Sequence, residues 1–487
     1  MKKKQWVVLR METKSREFQS RTLLAYNLVK EGYGVIITRD YGEKVQVFPQ
    51  GTYLLNNIFE TNNHLLKKIK KRDNSIVVLD EEGLVYVSEE QYLKRVPEKN
   101  LDIVSKFLCF GKEQREILVR NFPQYKNKFT ITGNPRINLL NDNFNIVENK
   151  SVNEIKNKYS PYILIVSNFS MVNLFGAGLD LKERYNQILQ KQYRLKFINS
   201  EEELEEFNKS FNHINLIFES FLHMVGILAE KYPSYNIVIR PHPSEDKRIW
   251  EELEKKHKNV RVLFEGGLTE WIKSSELVIQ NSCTSAIESL FLDKNCISYR
   301  PYINKKFDQP LPNKLSYNVE SLDELIEITD RLYANKNDNV IKKHYPKFKE
   351  MAEDHISYSN TDESVSKIVD VIGNENSRRT YYSQNAFKLN KFMSMLTLSQ
   401  LKRISKRGLG RIAHSLLGTI RLDNNKVYTF LDEKVDLLNY SKKYNKNKMQ
   451  SLDVRDIKEI MENYNNVYDT DYKFEIAQLD NESFIIE

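Results

Sequence analysis

The stretch 276-ELVIQNSCTSAIESLFL-292 decides the fold of this chain, because it holds a buried strand and the helix that follows it. The run ELVIQ is apolar and has the length of a strand, whereas TSAIESLFL has the apolar spacing of a helix. Small polar residues between them mark a turn. A strand that leads directly into a helix is one half of a βαβ unit, from which parallel sheets are built.

The same alternation occurs in two groups along the chain. Residues 141–160, rich in Asn and Lys, predict a linker between the groups. The sequence therefore predicts an α/β protein with two Rossmann-like domains facing a cleft, over 1–145 and 160–335, and a mainly helical C-terminal extension over 336–487. The predicted strands lie in WVVLRM, YGVIITRD, SIVVLDEEG, KFLCFG and KFTITGNPR, and then in YILIVSNF, NIVIRPHP, VRVLFEG, ELVIQNS and NCISYRP.

Composition limits the class of protein. No run approaches the roughly 20 apolar residues that cross a bilayer, and the N-terminal MKKKQWVVLRMETKSREF turns polar before a signal-peptide core is complete. The cysteines Cys109, Cys283 and Cys296 are too scattered for a disulfide framework or a CxxC metal site. The net charge of +8 is a modest excess spread over a Lys-rich chain. We expect a cytoplasmic protein with reduced thiols and no nucleic-acid partner.

One basic segment stands out in the C-terminal extension. Residues 388–422 interleave Lys and Arg with Leu and Ile at roughly helical spacing. This pattern is typical of an amphipathic helix on an anionic membrane surface, and packing against the protein body explains it nearly as well. The segment raises the hypothesis of peripheral contact with the inner face of the cytoplasmic membrane.

Acidic residues follow the strand SIVVL. Parallel sheets bind ligands at the carboxyl ends of their strands, so a cleft between two such sheets receives Asp80, Glu81 and Glu82. Crowding and lost solvation raise the pKa of at least one adjacent carboxyl, which makes it a candidate general base or nucleophile. Gly83 permits the sharp turn after them.

The predicted phosphate site uses neither common fingerprint, since the sequence contains no GxGxxG after the first strand and no GxxxxGK[ST]. Hydroxyl residues after ELVIQ can cap the following helix and offer donors to an anion. If NIVIRPHP neighbours ELVIQ, His242 and Arg240 meet the same phosphate. The predicted nucleotide-binding residues are Arg240, His242, Pro243, Asn281, Ser282, Thr284, Ser285 and Glu288.

Further polar residues at strand ends complete the predicted cleft. The segment 12–34 places Lys14, Arg16 and Arg21 at the first strand-to-helix junction, where an acceptor would enter the first domain. Residues 168–207 interrupt the second domain after its first strand and are interpreted as an active-site flap, an interaction insert or surface decoration. Other predicted cleft residues are Gly133, Asn134, Arg136 and Asn168.

Over residues 1 to about 330 the chain resembles bacterial surface-carbohydrate biosynthesis proteins, which are related to GT-B glycosyltransferases that use CMP-activated nonulosonic acids. Glu81-Glu82-Gly83 matches their D/E-D/E-G motif, His242-Pro243 their HP motif and the hydroxyl run at 282–285 their Ser/Thr motif. The strings TGNPR and LPNKLS add to this resemblance.

The resemblance implies roles for individual residues. His242, Ser282, Thr284 and Ser285 would hold the CMP phosphate, and Glu288 would reach the ribose. Glu81 would deprotonate the acceptor hydroxyl in an inverting reaction, whereas a carboxylate would attack the sugar in a retaining one, and the string DEEG leaves both open. No metal or other cofactor is implied, because one phosphate needs less neutralisation than two.

The expected function is transfer of a nonulosonic acid, such as Kdo or sialic acid, from a CMP-activated donor to a bacterial surface glycan or glycolipid acceptor. A CDP-polyol phosphotransferase is an alternative, although its catalytic histidine would have to be His64 in a polar stretch. A UDP-sugar 2-epimerase also has two Rossmann-like domains with acidic and histidine residues in the cleft. A non-enzymatic glycan-binding protein is disfavoured by the intact acidic and histidine motifs.

Overall fold

The computed structural model describes residues 4–377 and 453–487, apart from residues 40, 47, 195–196, 336, 359–361 and 481. Two parallel β-sheets flanked by helices form two domains, so the predicted fold class is confirmed. The basic segment at 388–422 lies outside the described residues. In the described part of the chain, no helix is both long and apolar enough to cross a bilayer.

The strands are short, and several are buried along their whole length. They are β1 (Trp6–Arg10), β2 (Gly34–Thr38), β3 (Gly51–Leu55), β4 (Ser75–Leu79), β5 (Lys106–Cys109), β6 (Phe129–Ile131), β7 (Tyr162–Val166), β8 (Asn236–Arg240), β9 (Val260–Val262), β10 (Leu277–Gln280), β11 (Cys296–Tyr299), β12 (Tyr317–Val319), β13 (Ile476–Asp480) and β14 (Ser483–Ile486).

Helices cover both faces of the sheets. The α-helices are α1 (Lys14–Lys30), α2 (Asn63–Lys70), α3 (Glu89–Leu93), α4 (Glu98–Leu101), α5 (Lys112–Asn121), α6 (Pro135–Asn138), α7 (Asn145–Tyr159), α8 (Leu181–Arg194), α9 (Glu201–Lys231), α10 (Arg248–Lys256), α11 (Leu268–Ser274), α12 (Ser285–Phe291), α13 (Pro310–Lys314), α14 (Leu322–Ala334), α15 (Tyr345–Ala352), α16 (Glu363–Ser377) and α17 (Val454–Tyr468). Single 3₁₀ turns lie at Gly42–Gln46, Glu60–Asn62, Pro123–Tyr125, Asp142–Phe144 and Lys342–His344.

The first sheet has the order β13-β14-β2-β1-β3-β4-β5-β6, with β1 to β6 parallel and the terminal hairpin antiparallel. The second has the order β12-β11-β10-β7-β8-β9 and is parallel throughout. Strands β2, β3, β4 and β7 are buried at every position, as expected for parallel strands with helices on both faces. The ten predicted strand runs all form strands, and β3, β12, β13 and β14 are additional.

The predicted linker at 141–160 is wrong in its conformation, because most of it forms helix α7. Val152 and Tyr159 are buried apolar residues of this helix, and its Asn- and Lys-rich composition hid the helical pattern. It packs on α11 of the second domain and on α17. The connection between the domains is therefore a structured element.

The segment predicted as a flap or insert, 168–207, is part of the second domain's core. It forms α8 and the first turns of α9, and Ile188, Phe207 and Phe211 are buried against the same apolar cluster as the sheet. The 31-residue α9 continues the segment across the domain. This part of the chain is a packed helical layer.

The described C-terminal elements return to the first domain. Helix α16 buries Val365, Ile368 and Ile372 in the first domain's core, and α17 buries Ile457 and Met461 there. Strand β14 pairs with β2 and extends the first sheet. This hairpin was not predicted, because a short strand pair lacks the flanking helix of a βαβ unit.

Candidate functional site

The strand order locates the expected binding crevice in each domain. In the second sheet β8 lies on one side of β7 and β10 on the other, so the order reverses beside β7. Open α/β sheets bind ligands outside the carboxyl ends of the strands at such a reversal. The condition under which His242 and the hydroxyl run were expected to meet, direct adjacency of β8 and β10, is not fulfilled, since β7 lies between them. Their polar ends nevertheless reach the same cleft.

A cleft of about 710 Å³ lies between the two domains. Loops that follow β7, β8 and β10 form one wall, and residues from α1 and the loop after β4 face them. The predicted residues that line it are Lys14, Arg16, Glu82, Arg136, Asn168, Arg240, His242, Pro243, Thr284 and Glu288.

His242 is held in one ring orientation by its own loop. Its Nδ1 accepts a hydrogen bond from the Ser244 backbone N–H at 3.2 Å. An acceptor at Nδ1 fixes the proton of the neutral imidazole on Nε2. The ring therefore carries a donor on Nε2, as a phosphate ligand requires.

Glu245 organises this wall, although the sequence did not single it out. Its carboxylate is 4% exposed and accepts hydrogen bonds from Ser167 Oγ at 2.6 Å, Phe169 N at 2.7 Å and His242 N at 3.3 Å. Trp250 Nε1 donates to it at 3.1 Å. Burial raises the pKa of Glu245. One side chain thus ties the loop after β7 to the loop after β8. Its position two residues after His242-Pro243 was the only available signal.

The hydroxyl run after β10 divides into exposed and buried members. Thr284 lines the cleft, whereas Ser285 is fully buried and Ser282 Oγ accepts a hydrogen bond from Asn313 Nδ2 at 3.0 Å. Asn281 donates to the Tyr299 carbonyl at 2.8 Å. Of the three predicted hydroxyl residues, Thr284 lies on the cleft wall, and the phosphate contacts predicted for Ser282 and Ser285 stay predictions.

Arg240 shapes a loop of the cleft. Its guanidinium donates to the Glu265 and Gly266 carbonyls and lies 5.2 Å from the Trp271 ring. Burial lowers the pKa of Arg240 to about 10. The segment 264–270, made of this loop and the first turn of α11, contributes to the cleft lining and was missed, since nothing in its sequence resembles a motif. Gly266 adopts a φ of +71°, which favours glycine there.

Asp80 lies behind the cleft rather than in it. Its carboxyl accepts hydrogen bonds from the Glu82 N–H at 3.2 Å, from Tyr92 Oη at 3.2 Å and from Gln114 Nε2 at 3.3 Å. Burial raises the pKa of Asp80 to about 7. The raised pKa expected for this acidic run is present, but in a group enclosed by side chains of α3 and α5.

Glu81 is enclosed by cations. Arg21 donates to it at 2.8 Å, Asn134 at 3.3 Å and Arg136 at 3.4 Å. Burial favours the neutral carboxyl, but Arg21 and then Arg136 outweigh it and lower the pKa of Glu81. Arg21 is fully buried and also donates to the Arg10 carbonyl at 2.8 Å, so the prediction that it binds an acceptor is wrong.

Glu82 is the member of the acidic run that is open to the cleft. Its side chain is 46% exposed and lies 3.6 Å from the Arg16 guanidinium. Lys14, the other predicted acceptor residue on α1, pairs with Asp456 of α17 at 2.9 Å. The first-domain wall therefore combines Arg16 and Glu82 with a helix from the end of the chain.

Arg136 connects the two domains across the cleft. It contacts Glu81 on its own domain and donates to Glu288 of the second domain at 3.1 Å. Asn134 caps α6, the helix that begins before Arg136. Gly133 does not reach the cleft, because a Cβ there would meet Ser357 and Ser364, and its φ is +72°.

The comparisons with known proteins return structural likenesses only. No family model matches the chain, and no curated protein does. UDP-GlcNAc 2-epimerase from Methanocaldococcus jannaschii, in complex with UDP-GlcNAc and UDP, matches at 14% identity over 76% of this chain and 99% of that chain, with a TM-score of 0.43. The Neisseria meningitidis enzyme bound to UDP-GlcNAc matches at 13% identity, over 77% and 100%, with a TM-score of 0.44.

The wall teichoic acid polymerase TagF, soaked with CDPG, matches at 10% identity over 76% of this chain and 88% of that chain, with a TM-score of 0.47. Likenesses of this size carry no conclusion about what this chain binds or does. The fold rests on the chain's own two parallel sheets and on the helix that returns from the second domain to the first. These features define a GT-B fold.

Proposed function

We propose that this protein is a glycosyltransferase of GT-B type that takes a nucleotide-activated sugar in the cleft. One observation carries the proposal. His242 and Thr284 on the second domain face Arg16 and Glu82 on the first across a single cleft at the carboxyl ends of both sheets. An anion site on one wall and an acid on the other are what sugar transfer from a nucleotide requires.

The second domain supplies the proposed nucleotide site. His242 donates from Nε2 and Thr284 from its hydroxyl to the phosphate, and Glu288 accepts from the ribose. Arg240 donates to two backbone carbonyls and stabilises the segment 264–270 instead. This set suits one phosphate group better than a pyrophosphate. The finer proposal is therefore the CMP-activated nonulosonic acid to which the sequence motifs point, with no metal ion in the reaction.

The first domain supplies the proposed base. We assign it to Glu82, because Glu81 already accepts from three side chains and Asp80 is enclosed behind the loop. Glu82 would accept the proton of the acceptor hydroxyl as that oxygen attacks the anomeric carbon and the nucleotide leaves. Arg16, 3.6 Å from Glu82, holds the carboxylate in the cleft. Glu81 positions Arg136.

A UDP-sugar 2-epimerase is the second candidate. A small cavity of about 40 Å³ at the base of the cleft is lined by Glu81, Glu82 and Glu288, with Arg136 between the domains there. Carboxylates from both domains around one cavity suit proton transfer at a carbon of a bound sugar, with no acceptor needed. The CDP-polyol phosphotransferase alternative gains less, since His64 is exposed on α2 and does not line the cleft.

Incubation with each donor separates the candidates. The protein is given CMP-sialic acid or CMP-Kdo with a mixture of oligosaccharides, and UDP-GlcNAc alone, and nucleotide and sugar products are followed by NMR. We expect CMP release that increases with the concentration of the acceptor, and we expect UDP-GlcNAc to remain unchanged. Acceptor-independent conversion of UDP-GlcNAc into its 2-epimer, without CMP release, would replace the transferase by the epimerase.

A further inference from the structure

Two helices present polar stripes to the same groove at one end of the cleft. On α7, Lys150, Ser151 and Glu154 line the cleft, and on α17, Glu459 and Asn463 do so. Each set follows the i, i+3 or i+4 spacing that places side chains on one helix face. None of these residues belongs to the nucleotide wall described above.

Helices α7 and α17 pack side by side and form one wall of the groove together. Lys150 pairs with Glu459 at 3.4 Å, joining α7 to α17, and Lys14 pairs with Asp456 at 2.9 Å, joining α1 to α17. Phe18 on α1 and Ile460 on α17 add apolar surface to the lining. Helix α17 is thus fixed as one wall of the groove.

The groove continues into the cleft where the reaction is proposed. Gln19 on α1 donates to Glu270 on α11 of the second domain at 3.3 Å, so the groove wall contacts the segment 264–270. A ligand in the groove can therefore extend to Arg16 and Glu82 without leaving the protein surface.

The lining chemistry fits a sugar chain. Carboxylates, an amide, a hydroxyl and an ammonium group offer both acceptors and donors to sugar hydroxyls, and Phe18 with Ile460 offers surface for the apolar face of a ring. The residues Lys150, Ser151, Glu154 and Glu459 are exposed, as an open groove for a polymer requires. The acids and bases are mixed, so the groove favours a hydroxyl-rich ligand over one of a single strong charge.

We infer that this groove, which α7 and α17 line together, is an acceptor subsite that binds an oligosaccharide. Helix α17 therefore helps to select the acceptor. The inference rests on the proposed function. It assigns to α17 a role that no sequence motif indicates.

The test is binding to a printed array of oligosaccharides of two to six residues, built from hexoses and N-acetylhexosamines, with CMP present. Ser151→Trp fills the groove, and Glu459→Gln with Asn463→Ala removes its polar contacts. The matched controls are Asn153→Trp, about 200° around α7 from Ser151, and Glu462→Gln, an exposed acid of α17 that does not line the cleft.

The expected result is that the wild type and both controls bind at least one glycan, and that Ser151→Trp and the double variant lose it at least tenfold. Equal binding by the groove variants, or no glycan bound by the wild type, overturns the inference. Thermal unfolding with CMP is run on the same proteins. A wild type that CMP does not stabilise counts against the proposed function, whereas intact CMP stabilisation with unchanged glycan binding counts against the subsite alone.

Discussion

Three adjacent carboxyl groups after β4 have three different environments, which is the main lesson at the scale of the residue. Asp80 faces side chains of α3 and α5, Glu81 faces the arginines, and Glu82 faces the cleft. The three acids lie in the turn that follows β4, and the turn directs their side chains to different sides. Adjacent acids in a sequence therefore do not share one chemistry.

Exchange of each acid by its amide distinguishes these environments. Glu82→Gln should lower kcat by about 10²- to 10⁴-fold, the usual contribution of a general base, and leave CMP binding unchanged. Glu81→Gln should instead destabilise the fold by about 1–3 kcal/mol, because it removes the charge of the nearer of the two carboxylates beside the buried Arg21 and leaves Glu17 at 3.9 Å. Turnover and urea unfolding are measured on both. A Glu82→Gln protein with near-normal kcat would refute the assignment of the base.

The raised pKa of Asp80 predicts a pH dependence of stability. Between the unfolded pKa near 4 and the folded pKa of about 7, the folded state binds a proton that the unfolded state lacks. The contribution of Asp80 is therefore full at acidic pH and is lost as the pH rises to about 7, by at most about 1.4 kcal/mol per pH unit.

Urea unfolding of the wild type and Asp80→Asn at pH 5, 6, 7 and 8 measures this. The unfolding free energy of the wild type minus that of Asp80→Asn should fall as the pH rises from 5 to 7 and then level off. A difference that stays constant over this range would contradict the raised pKa.

Glu245 is predicted to act through His242. Glu245→Gln places an amide N–H₂ against the donors that now meet a carboxylate, at a cost of about 1–3 kcal/mol for each donor left unsatisfied. The shift of Tm caused by CMP should fall along with the stability. Glu252→Gln, an exposed acid on α10, is the control. A CMP-induced shift as large in Glu245→Gln as in the control would show that this carboxylate does not position the site.

At the scale of the element, the terminal hairpin is part of the first domain rather than an appendage. Phe484 on β14 is fully buried in the first domain's core. Phe484→Ala should lower the free energy of unfolding by about 3–5 kcal/mol, because it leaves a cavity. Asp471→Ala, at an exposed position before β13, should change it by less than about 0.5 kcal/mol. Equal stability of the two variants in urea would mean that the hairpin is not part of this core.

Elements with strong local patterns were predictable, and those that depend on distant partners were not. Runs such as YILIV and ELVIQ are apolar along their length and became central strands. Helix α7 was hidden by its Asn- and Lys-rich sequence, and β14 because β2, the strand that joins the hairpin to the first sheet, lies more than 400 residues away in the chain. The strand order was also missed, since adjacency of β7 to both β8 and β10 is set by helix packing that no single motif encodes.

The same limit applies to the candidate site. Residues at strand ends were found because the carboxyl ends of parallel strands meet at one edge. The sequence did not predict which of these side chains point into the cleft. Ser285 and Arg21 are buried instead, because the burial of a side chain depends on the helices packed around it. Glu245 and the segment 264–270 were also missed, because their place in the cleft depends on the packing of distant elements.

At the scale of the whole molecule, the two domains are joined by charge as well as by chain. Arg136 and Glu288 meet across the cleft, and Gln19 meets Glu270. A ligand that enters between the domains must fit around these contacts. The central claim is that a nucleotide enters there and binds to His242 on the second domain.

Isothermal titration of CMP, with UMP and UDP in parallel, tests this claim most directly. We expect CMP to bind more tightly than UMP or UDP. We expect His242→Ala to lower the affinity for CMP by about 10- to 100-fold, which corresponds to the loss of one hydrogen bond to a charged group. His223→Ala, an exposed histidine on α9, should bind CMP like the wild type. Binding of UDP but not CMP, or unchanged CMP affinity in His242→Ala, would contradict the account.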